Sequence, residues 1–338
     1  MKYTIDFKNE MNLMLRNNIG LCPYFRKNAR GLFERYWDVG CFYDSPKYFN
    51  KFLSKNGMSY LRNLLNDETT FGNPLFYLLF RAFVYAEIKF INNYIPQNSH
   101  EERLTGHLVS EIVNSLNIIN ETFRQKASEL YHSKVNLDFH YADLSSNNNE
   151  KNTGADLGLI FHVNLPDYPE KINVAVIQSK KFEKRAKIDL NQIKTLEKYA
   201  GEFGYYCFYD MDMSERISPL IQKANTIMSI FDNGNNEQTL SSGKKSLSRQ
   251  KITDRWEGGI PLSIFLIFDM LNPENENIKS VTNIWQAKDI IEKGVNENVK
   301  IGGHGVSRVL TVSVGGVSNS NQELRSISEL FRFEKYND

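Results

Sequence analysis

The spacing of apolar positions predicts that the first part of the chain is helical. Between residues 74 and 91, apolar side chains recur at steps of three and four, which is typical of a helix with one buried face. Ser99 precedes Glu102 by three positions, as in a capping box, and predicts the start of a further helix over about 100–125. We therefore predict a helical region from residue 1 to about 97.

The pattern changes after a polar stretch at 145–149. Runs at 155–163, 172–178 and 205–209 are rich in β-branched and aromatic residues and predict strands, with a helix over about 189–202 between the last two. A helix followed by two strands, a second helix and a third strand is typical of an α/β fold. We therefore predict an α/β fold with a central mixed sheet flanked by helices.

The remaining sequence predicts further elements of both kinds. A polar and basic stretch at 233–256 is too poor in apolar residues to pack a core and is predicted to be a linker or mobile loop. The other predicted elements are helices over about 214–231 and 284–293 and strands over about 261–271 and 307–314.

Composition and charge exclude several classes of protein. The 338 residues are 41% hydrophobic and 24% charged, as in soluble globular domains, and the formal net charge of +1 excludes a uniformly basic surface. The three cysteines form no CxxC pair, which indicates reduced thiols in a cytoplasmic protein. We expect neither a signal peptide nor a membrane span, because the first residues lack an apolar core and charges interrupt residues 74–91.

Two predicted strands carry polar side chains that we expect to meet. Asp156 stands at the start of an apolar strand, and the next strand ends in Gln178, Ser179, Lys180 and Lys181. Because side chains alternate along a strand, Gln178 and Lys180 point to one face. If the two strands form a hairpin, Asp156 comes close to both of them.

These three groups suit a metal-dependent reaction. Carboxylate and amide oxygens are ligands for a hard cation such as Mg²⁺, with Mn²⁺ as an alternative. Such an ion would stabilise negative charge on a phosphate and lower the pKa of a bound water, which Lys180 could orient. The simpler alternatives are that Asp156 only closes a turn and that the polar strand end only leaves the core.

The same residues resemble the PD-(D/E)XK nuclease superfamily, in the variant where glutamine replaces the second acid. The tripeptide from Gly154 to Asp156 matches the first half of that motif, and the tripeptide from Gln178 to Lys180 matches the second. The resemblance covers about residues 99–210. It implies a restriction-endonuclease-like core, a divalent ion and hydrolysis of phosphodiester bonds.

The resemblance also implies two further site residues. A preceding helix contributes a carboxylate in that family, and Glu101 or Glu102 occupies this place; Glu101 lies on the sheet-facing side of the predicted helix and Glu102 at its edge. Gln192 occupies the place of a glutamine on the helix that follows the lysine. The metal ligands implied are Asp156, Gln178 and either Glu101 or Glu102.

Basic residues after the second strand predict a surface for phosphates. Within that stretch only Glu183 opposes them, and neutralising several phosphates would make binding depend on salt. A second basic cluster, at 244–255, is equally well explained as a solvated face. The candidate nucleic-acid-binding residues are Lys181, Lys184, Arg185 and Lys187.

Taken together, the sequence predicts a cytoplasmic, Mg²⁺-dependent nuclease that acts on DNA, and the resemblance implies a role in microbial restriction or anti-phage defence. Two alternatives stay open: a catalytically inactive module of the same fold that binds nucleic acid or a partner protein, and an interaction protein without a nucleic-acid role. The expected partner is DNA, with a partner protein or a homo-oligomer as alternatives. We divide the chain into a helical region (1–98), a nuclease-like core (99–232), a basic linker (233–256) and a C-terminal α/β segment (257–338) that could extend the core sheet.

Overall fold

A computed structural model describes eight stretches of the chain: 73–132, 135–144, 153–212, 218–232, 244–253, 260–273, 278–295 and 305–316. Most of the predicted N-terminal helical region lies outside these residues, as do 233–243 and 254–259 of the predicted linker. The described part of the helical region and the predicted core fall within them.

Two long helices open the described chain. Helix α1 spans Pro74–Asn93, where the Asn73 side chain accepts a hydrogen bond from the backbone of Leu75 and proline occupies the first turn. Helix α2 spans Glu101–Tyr131 and buries its apolar stripe, including Leu104, Leu108 and Ile112. Helix α2 begins close to the predicted position, but the capping box predicted at Ser99 was wrong: the N-cap is His100, which makes no side-chain capping hydrogen bond. The helix runs about two turns further than expected because its apolar spacing continues to Ala127.

Strands and shorter helices alternate through the rest of the chain. The strands are β1 (Val135–Asp143), β2 (Leu157–Asn164), β3 (Lys171–Phe182), β4 (Arg185–Asp189), β5 (Gly204–Asp210), β6 (Leu220–Lys223), β7 (Lys244–Ser248), β8 (Ile260–Pro261), β9 (Ser280–Val281) and β10 (Arg308–Gly316). The helices are α3 (Leu190–Ala200), α4 (Ala224–Asp232), α5 (Arg249–Thr253), α6 (Leu262–Ile264), which continues as a π-helix over Phe265–Met270, and α7 (Ile284–Lys293). Single 3₁₀ turns occupy Ile95–Gln97 and Gly201–Phe203.

The described strands form one mixed sheet of ten strands, seven of them in the order β1, β10, β2, β3, β5, β6, β8. Strands β2 and β3 pair antiparallel as the expected hairpin, and β5 runs parallel to β3. Strand β10 lies between β1 and β2, parallel to β2. Strand β4 pairs with the end of β3 and with β7, and β9 pairs with the start of β3.

The sheet has a hydrophobic core on each face. Along β3, Ala175 and Ile177 point to the core under α1 and α2, whereas Val174 and Val176 point to the core under α3, α4 and α7. The predicted class is therefore confirmed: the protein is α/β, with a mixed sheet flanked by helices and a helical region before it. None of the helices in the described stretches is long and apolar enough to cross a membrane.

Three predictions for the second half were wrong. A helix was expected over 214–231. The described part of this range instead forms strand β6 and then helix α4. Strand β6 forms because the chain there pairs antiparallel with β5. The strand expected over 261–271 is helical after Pro261, since a short apolar run that is buried on all sides has no periodicity to distinguish strand from helix. Residues 244–253 of the expected linker form β7 and α5 and bury Leu247 and Ile252.

Candidate active site

The candidate site lies at one end of the sheet. Strands β2 and β10 begin at this end, whereas β3 and β5 finish there, as their parallel and antiparallel pairings require. Asp156 therefore precedes β2 at the same end at which Gln178 and Lys180 close β3. The first turn of α2 reaches this end through Glu101, which contacts Lys180 and Lys181.

Asp156 is held by the strand beside it. Its Oδ2 accepts hydrogen bonds from the Ser179 backbone N–H at 2.7 Å and from Nε2 of Gln178 at 2.8 Å. Pairing of β2 with β3 stops at Ile177, so that the next N–H groups on this edge of β3 have no strand partner in β2. The Asp156 carboxylate takes the first of them, and the predicted contact between Asp156 and Gln178 is present.

Glu101 takes the next N–H group on the same edge. Its Oε1 accepts from the Lys181 backbone at 2.9 Å, and its Oε2 lies 3.4 Å from Nζ of Lys180. Because the N–H groups of residues two apart face the same side of a strand, Asp156 and Glu101 line this edge one after the other. Glu102 instead faces Arg308, at 3.6 Å, so Glu101 is the helix carboxylate at the site.

Two glutamines form a chain of hydrogen bonds that leads away from the Asp156 carboxylate. Nε2 of Gln192 donates to Oε1 of Gln178 at 3.0 Å, and Gln178 in turn donates to Asp156. The close approach of α3 depends on Gly154, whose φ is +68° and where a Cβ would lie 2.9 Å from the Gln192 carbonyl oxygen. The predicted residue Gln192 thus supports Gln178.

A second network, which sequence reasoning missed, lies on the other face of β3. The hydroxyls of Thr105, Ser179 and Tyr209 lie within 2.8 to 3.1 Å of one another, and Thr105 also bonds the Glu101 carbonyl oxygen. Burial raises the pKa of Tyr209, so its hydroxyl stays protonated. These contacts fix the first turn of α2 against β3 and β5, and the available signal was a threonine one turn after Glu101.

Tyr206 was also not predicted as a site residue. It lies beside Gln178 in the parallel register of β3 and β5, and its side chain is fully buried. Its hydroxyl has no hydrogen-bond partner in the stretches that the structure covers. Burial and, to a lesser extent, the charge of Asp156 raise its pKa, so the group is a neutral donor.

The two basic clusters of the sequence come together in space. Strand β4 pairs with β7, so that Lys187 lies opposite Ser246 and Asp189 lies opposite Lys244. We call these two strands the basic ribbon. Exposed lysines on it and at its base are Lys184, Lys187 and Lys244.

The other basic side chains near the ribbon have partners within the protein. Lys181 binds Asn98 and the Ser99 carbonyl through Nζ, and Arg185 binds Ser246. Arg249 forms ion pairs with Asp210 at 2.8 Å and with Asp212 at 3.5 Å. Burial raises the pKa of Asp210 to about 6 in spite of this arginine. The ion pairs of Arg249, which directly follows β7, attach the ribbon to the end of β5.

The oxygen donors at this end of the sheet are of the chemical kind that a hard cation binds. The described stretches hold no group of three histidine, cysteine, aspartate or glutamate side chains arranged for a metal, so a site here requires the glutamine. Gln178 turns its amide nitrogen to Asp156, and rotation of the amide would present its oxygen instead. Gln192 can rotate with it and keep their hydrogen bond, whereas the hydrogen bond from Nε2 of Gln178 to the Ser179 carbonyl oxygen, at 3.1 Å, would be lost. Asp156, Gln178 and Glu101 would then be the carboxylate and amide oxygens available here, which is the ligand type that Mg²⁺ prefers.

Comparisons of the chain with protein-family models, with curated proteins and with solved structures found no match. What the site does must therefore be argued from its residues and their geometry.

Proposed function

We propose that this protein is a Mg²⁺-dependent nuclease that hydrolyses phosphodiester bonds in DNA. The observation that supports this most is that two pairs of residues far apart in sequence lie along one strand edge: Gln178 donates to Asp156, and Lys180 faces Glu101. An acid, an amide and an amine in this order match the D…QxK form of the PD-(D/E)XK motif.

In this proposal Asp156, Gln178 and Glu101 hold the ion. When bound, Mg²⁺ would stabilise charge on the phosphate and acidify a water. Lys180 holds the attacking water in position, since its amine lies at the site and its side chain is 14% exposed. Gln192 holds Gln178 through a hydrogen bond between the two amides, and the hydroxyl network under Ser179 fixes the helix that carries Glu101.

The basic ribbon supports a polyanionic substrate. Lys184, Lys187 and Lys244 are exposed on a two-stranded extension that continues from the end of β3, next to Lys180. Positive groups along such an extension can each contact a phosphate and displace a counterion. We propose DNA as the substrate, with cytoplasmic restriction or anti-phage defence as the setting.

Digestion of plasmid DNA tests the activity. Wild-type protein is expected to cleave in Mg²⁺ and not in EDTA, and Asp156→Ala and Lys180→Ala are expected to abolish cleavage while Lys180→Ala still shifts DNA in a gel. Lys279→Ala is the matched control, because this lysine also pairs with a glutamate, Glu202, but at the β9 side of the sheet. Full activity of Lys180→Ala would remove Lys180 from the mechanism.

A second candidate function is a nuclease-fold module that binds nucleic acid without cutting it. The glutamine at position 178, where an acid would complete a three-carboxylate group with Asp156 and Glu101, favours this candidate. Salt-dependent binding without cleavage in Mg²⁺ or Mn²⁺ would support it over the enzyme. Absence of both binding and cleavage would leave a protein-interaction role.

A further inference from the structure

Arg308 lies beside the candidate site on the side away from β3. It is the first residue of β10, and its backbone N–H donates to the Asp156 carbonyl oxygen at 3.1 Å. In the parallel register it lies opposite Leu157, so it is one strand spacing, roughly 5 Å, from the start of β2. Along the end of the sheet, Arg308 and Lys180 therefore flank Asp156.

The guanidinium of Arg308 is buried and incompletely bonded. The residue is 7% exposed, and its Nε and Nη1 have no hydrogen-bond partner among the described residues. Nη2 faces Oε1 of Glu102 at 3.6 Å, which is longer than a hydrogen bond. Buried donors on a charged group are costly to leave unbonded, and where they persist a water, an ion or a ligand is the expected partner.

The protein provides room for this side chain. Helix α2 passes over Arg308 at Gly106, where a Cβ would lie only 3.1 Å from Nε. The absence of a side chain there allows the guanidinium to lie against the helix. Glu102 sits one turn before Gly106, and its side chain is 46% exposed. Glu102 on α2 and Tyr141 on β1 therefore both border the guanidinium.

We propose that Arg308 binds a phosphate oxygen of the DNA backbone next to the phosphate at Asp156, and that Glu102 occupies this position when DNA is absent. A guanidinium presents paired donors that match phosphate oxygens better than any other side chain does. DNA would then displace the loosely held carboxylate of Glu102 from Nη2 and bond Nη2 together with Nη1, while Nε stays against Gly106. This inference rests on the proposed function for its ligand, but not on cleavage.

The proposal predicts effects of opposite sign at two residues in contact. Arg308→Gln removes the phosphate ligand and is expected to weaken DNA binding about tenfold, as for one charge-assisted hydrogen-bonded contact. It should also lower the salt slope of binding by about one. Glu102→Gln removes the competing carboxylate and is expected to strengthen binding severalfold. Arg308→Lys keeps the charge without the paired donors and should lie between Arg308→Gln and wild type.

The test measures fluorescence anisotropy of a labelled 20-base-pair DNA duplex in EDTA over a series of salt concentrations. Arg103→Gln is the control, because Arg103 is an exposed arginine on the same turn of α2. The proposal is supported if Arg308→Gln loses clearly more affinity than Arg103→Gln while Glu102→Gln gains affinity. It is overturned if the two arginine variants lose equally, or if Glu102→Gln binds no tighter than wild type.

A parallel arm separates the two sources of phosphate. Inorganic phosphate is titrated against thermal unfolding of wild type and Arg308→Lys. Phosphate stabilisation that depends on Arg308, with duplex affinity unchanged in the variants, would assign the site to free phosphate and overturn the DNA proposal. If Arg308→Gln does not fold, Arg308→Lys and Glu102→Gln decide the test. EDTA prevents cleavage, so the binding test is independent of nuclease activity. Binding that depends on Arg308 in a protein that never cleaves DNA would refute only the proposed function. Cleavage by a protein whose DNA binding does not depend on Arg308 would refute only this inference.

Discussion

Replacing Gln178 by glutamate tests the contact on which the candidate site depends. Nε2 of Gln178 donates to Oδ2 of Asp156 at 2.8 Å, and the two residues are 1% and 2% exposed. Gln178→Glu exchanges this donor for a second carboxylate oxygen without changing the size of the side chain. The substitution therefore converts an attraction into a repulsion in a place that water scarcely reaches.

The distance sets the size of the effect. Two unit charges 2.8 Å apart repel by about 6 kcal/mol at an effective dielectric constant of about 20. Protonation of the introduced carboxyl limits the cost to about 4 kcal/mol at pH 7.5 and about 1 kcal/mol at pH 5, given an ordinary pKa of about 4.3. The folded state binds this proton more tightly than the unfolded chain, so the variant loses stability as the pH rises.

Urea unfolding in EDTA at pH 5 and pH 7.5 measures this cost. Mg²⁺ binding between the two carboxylates should restore stability at pH 7.5, and by more than it adds to the wild type. Gln125→Glu is the matched control, because the Gln125 amide also donates to a carboxylate, that of Glu129 at 3.1 Å, but on an exposed helix face. Its expected cost is about 0.2–0.5 kcal/mol without a response to Mg²⁺.

Two results would refute the reasoning. Gln178→Glu could be as stable as the wild type in EDTA at pH 7.5, in which case its side chain does not hold the Asp156 carboxylate. Alternatively, the variant could lose as much stability at pH 5 as at pH 7.5, in which case packing and not charge repulsion carries the cost.

Three further predictions concern the supports of the site. Gly154→Ala would place a side chain at a positive φ, with its Cβ 2.9 Å from the Gln192 carbonyl oxygen. We expect the free energy of unfolding in urea to fall by about 2 kcal/mol or more and cleavage to be reduced. A variant as stable as the wild type would contradict this geometry. The pKa of Asp210 is raised to about 6, so its contribution to the free energy of unfolding is full below about pH 4 and is lost as the pH rises through 6. Asp210→Asn should remove up to about 3 kcal/mol of this pH dependence. An unchanged dependence of stability on pH in the variant would argue against the raised pKa. Lys187→Glu should weaken DNA binding and lower its salt slope by about one or more without changing the unfolding midpoint, whereas unchanged binding would exclude the basic ribbon from the DNA interface.

The contact between Asp156 and Gln178 could be expected from the sequence because it follows from local rules. Alternating side chains fix which residues of a strand share a face, and a short connection makes two successive strands antiparallel neighbours. The same local reasoning located β2, β5 and α7 to within a few residues. It could not choose between Glu101 and Glu102, because that choice depends on the rotation of α2 about its own axis.

Contacts between distant parts of the chain decided the remaining features. The hydroxyls of Thr105, Ser179 and Tyr209 fix the rotation of α2 and bring Glu101 to the edge of β3. Pairing of β4 with β7 joins two basic stretches that the sequence separates, and insertion of β10 between β1 and β2 places Arg308 beside Asp156.

By itself, the sequence determined the α/β class, the β2–β3 hairpin and the pairing of an acid with an amide at its open end. Periodicity and turn length fix such features, and both act over a few residues. Only the tertiary structure decided which glutamate completes the site, where the lysines of the basic ribbon converge and which arginine lies next to Asp156. Strand order and helix rotation minimise the free energy of the whole packed sheet, and no local pattern of residues encodes that sum.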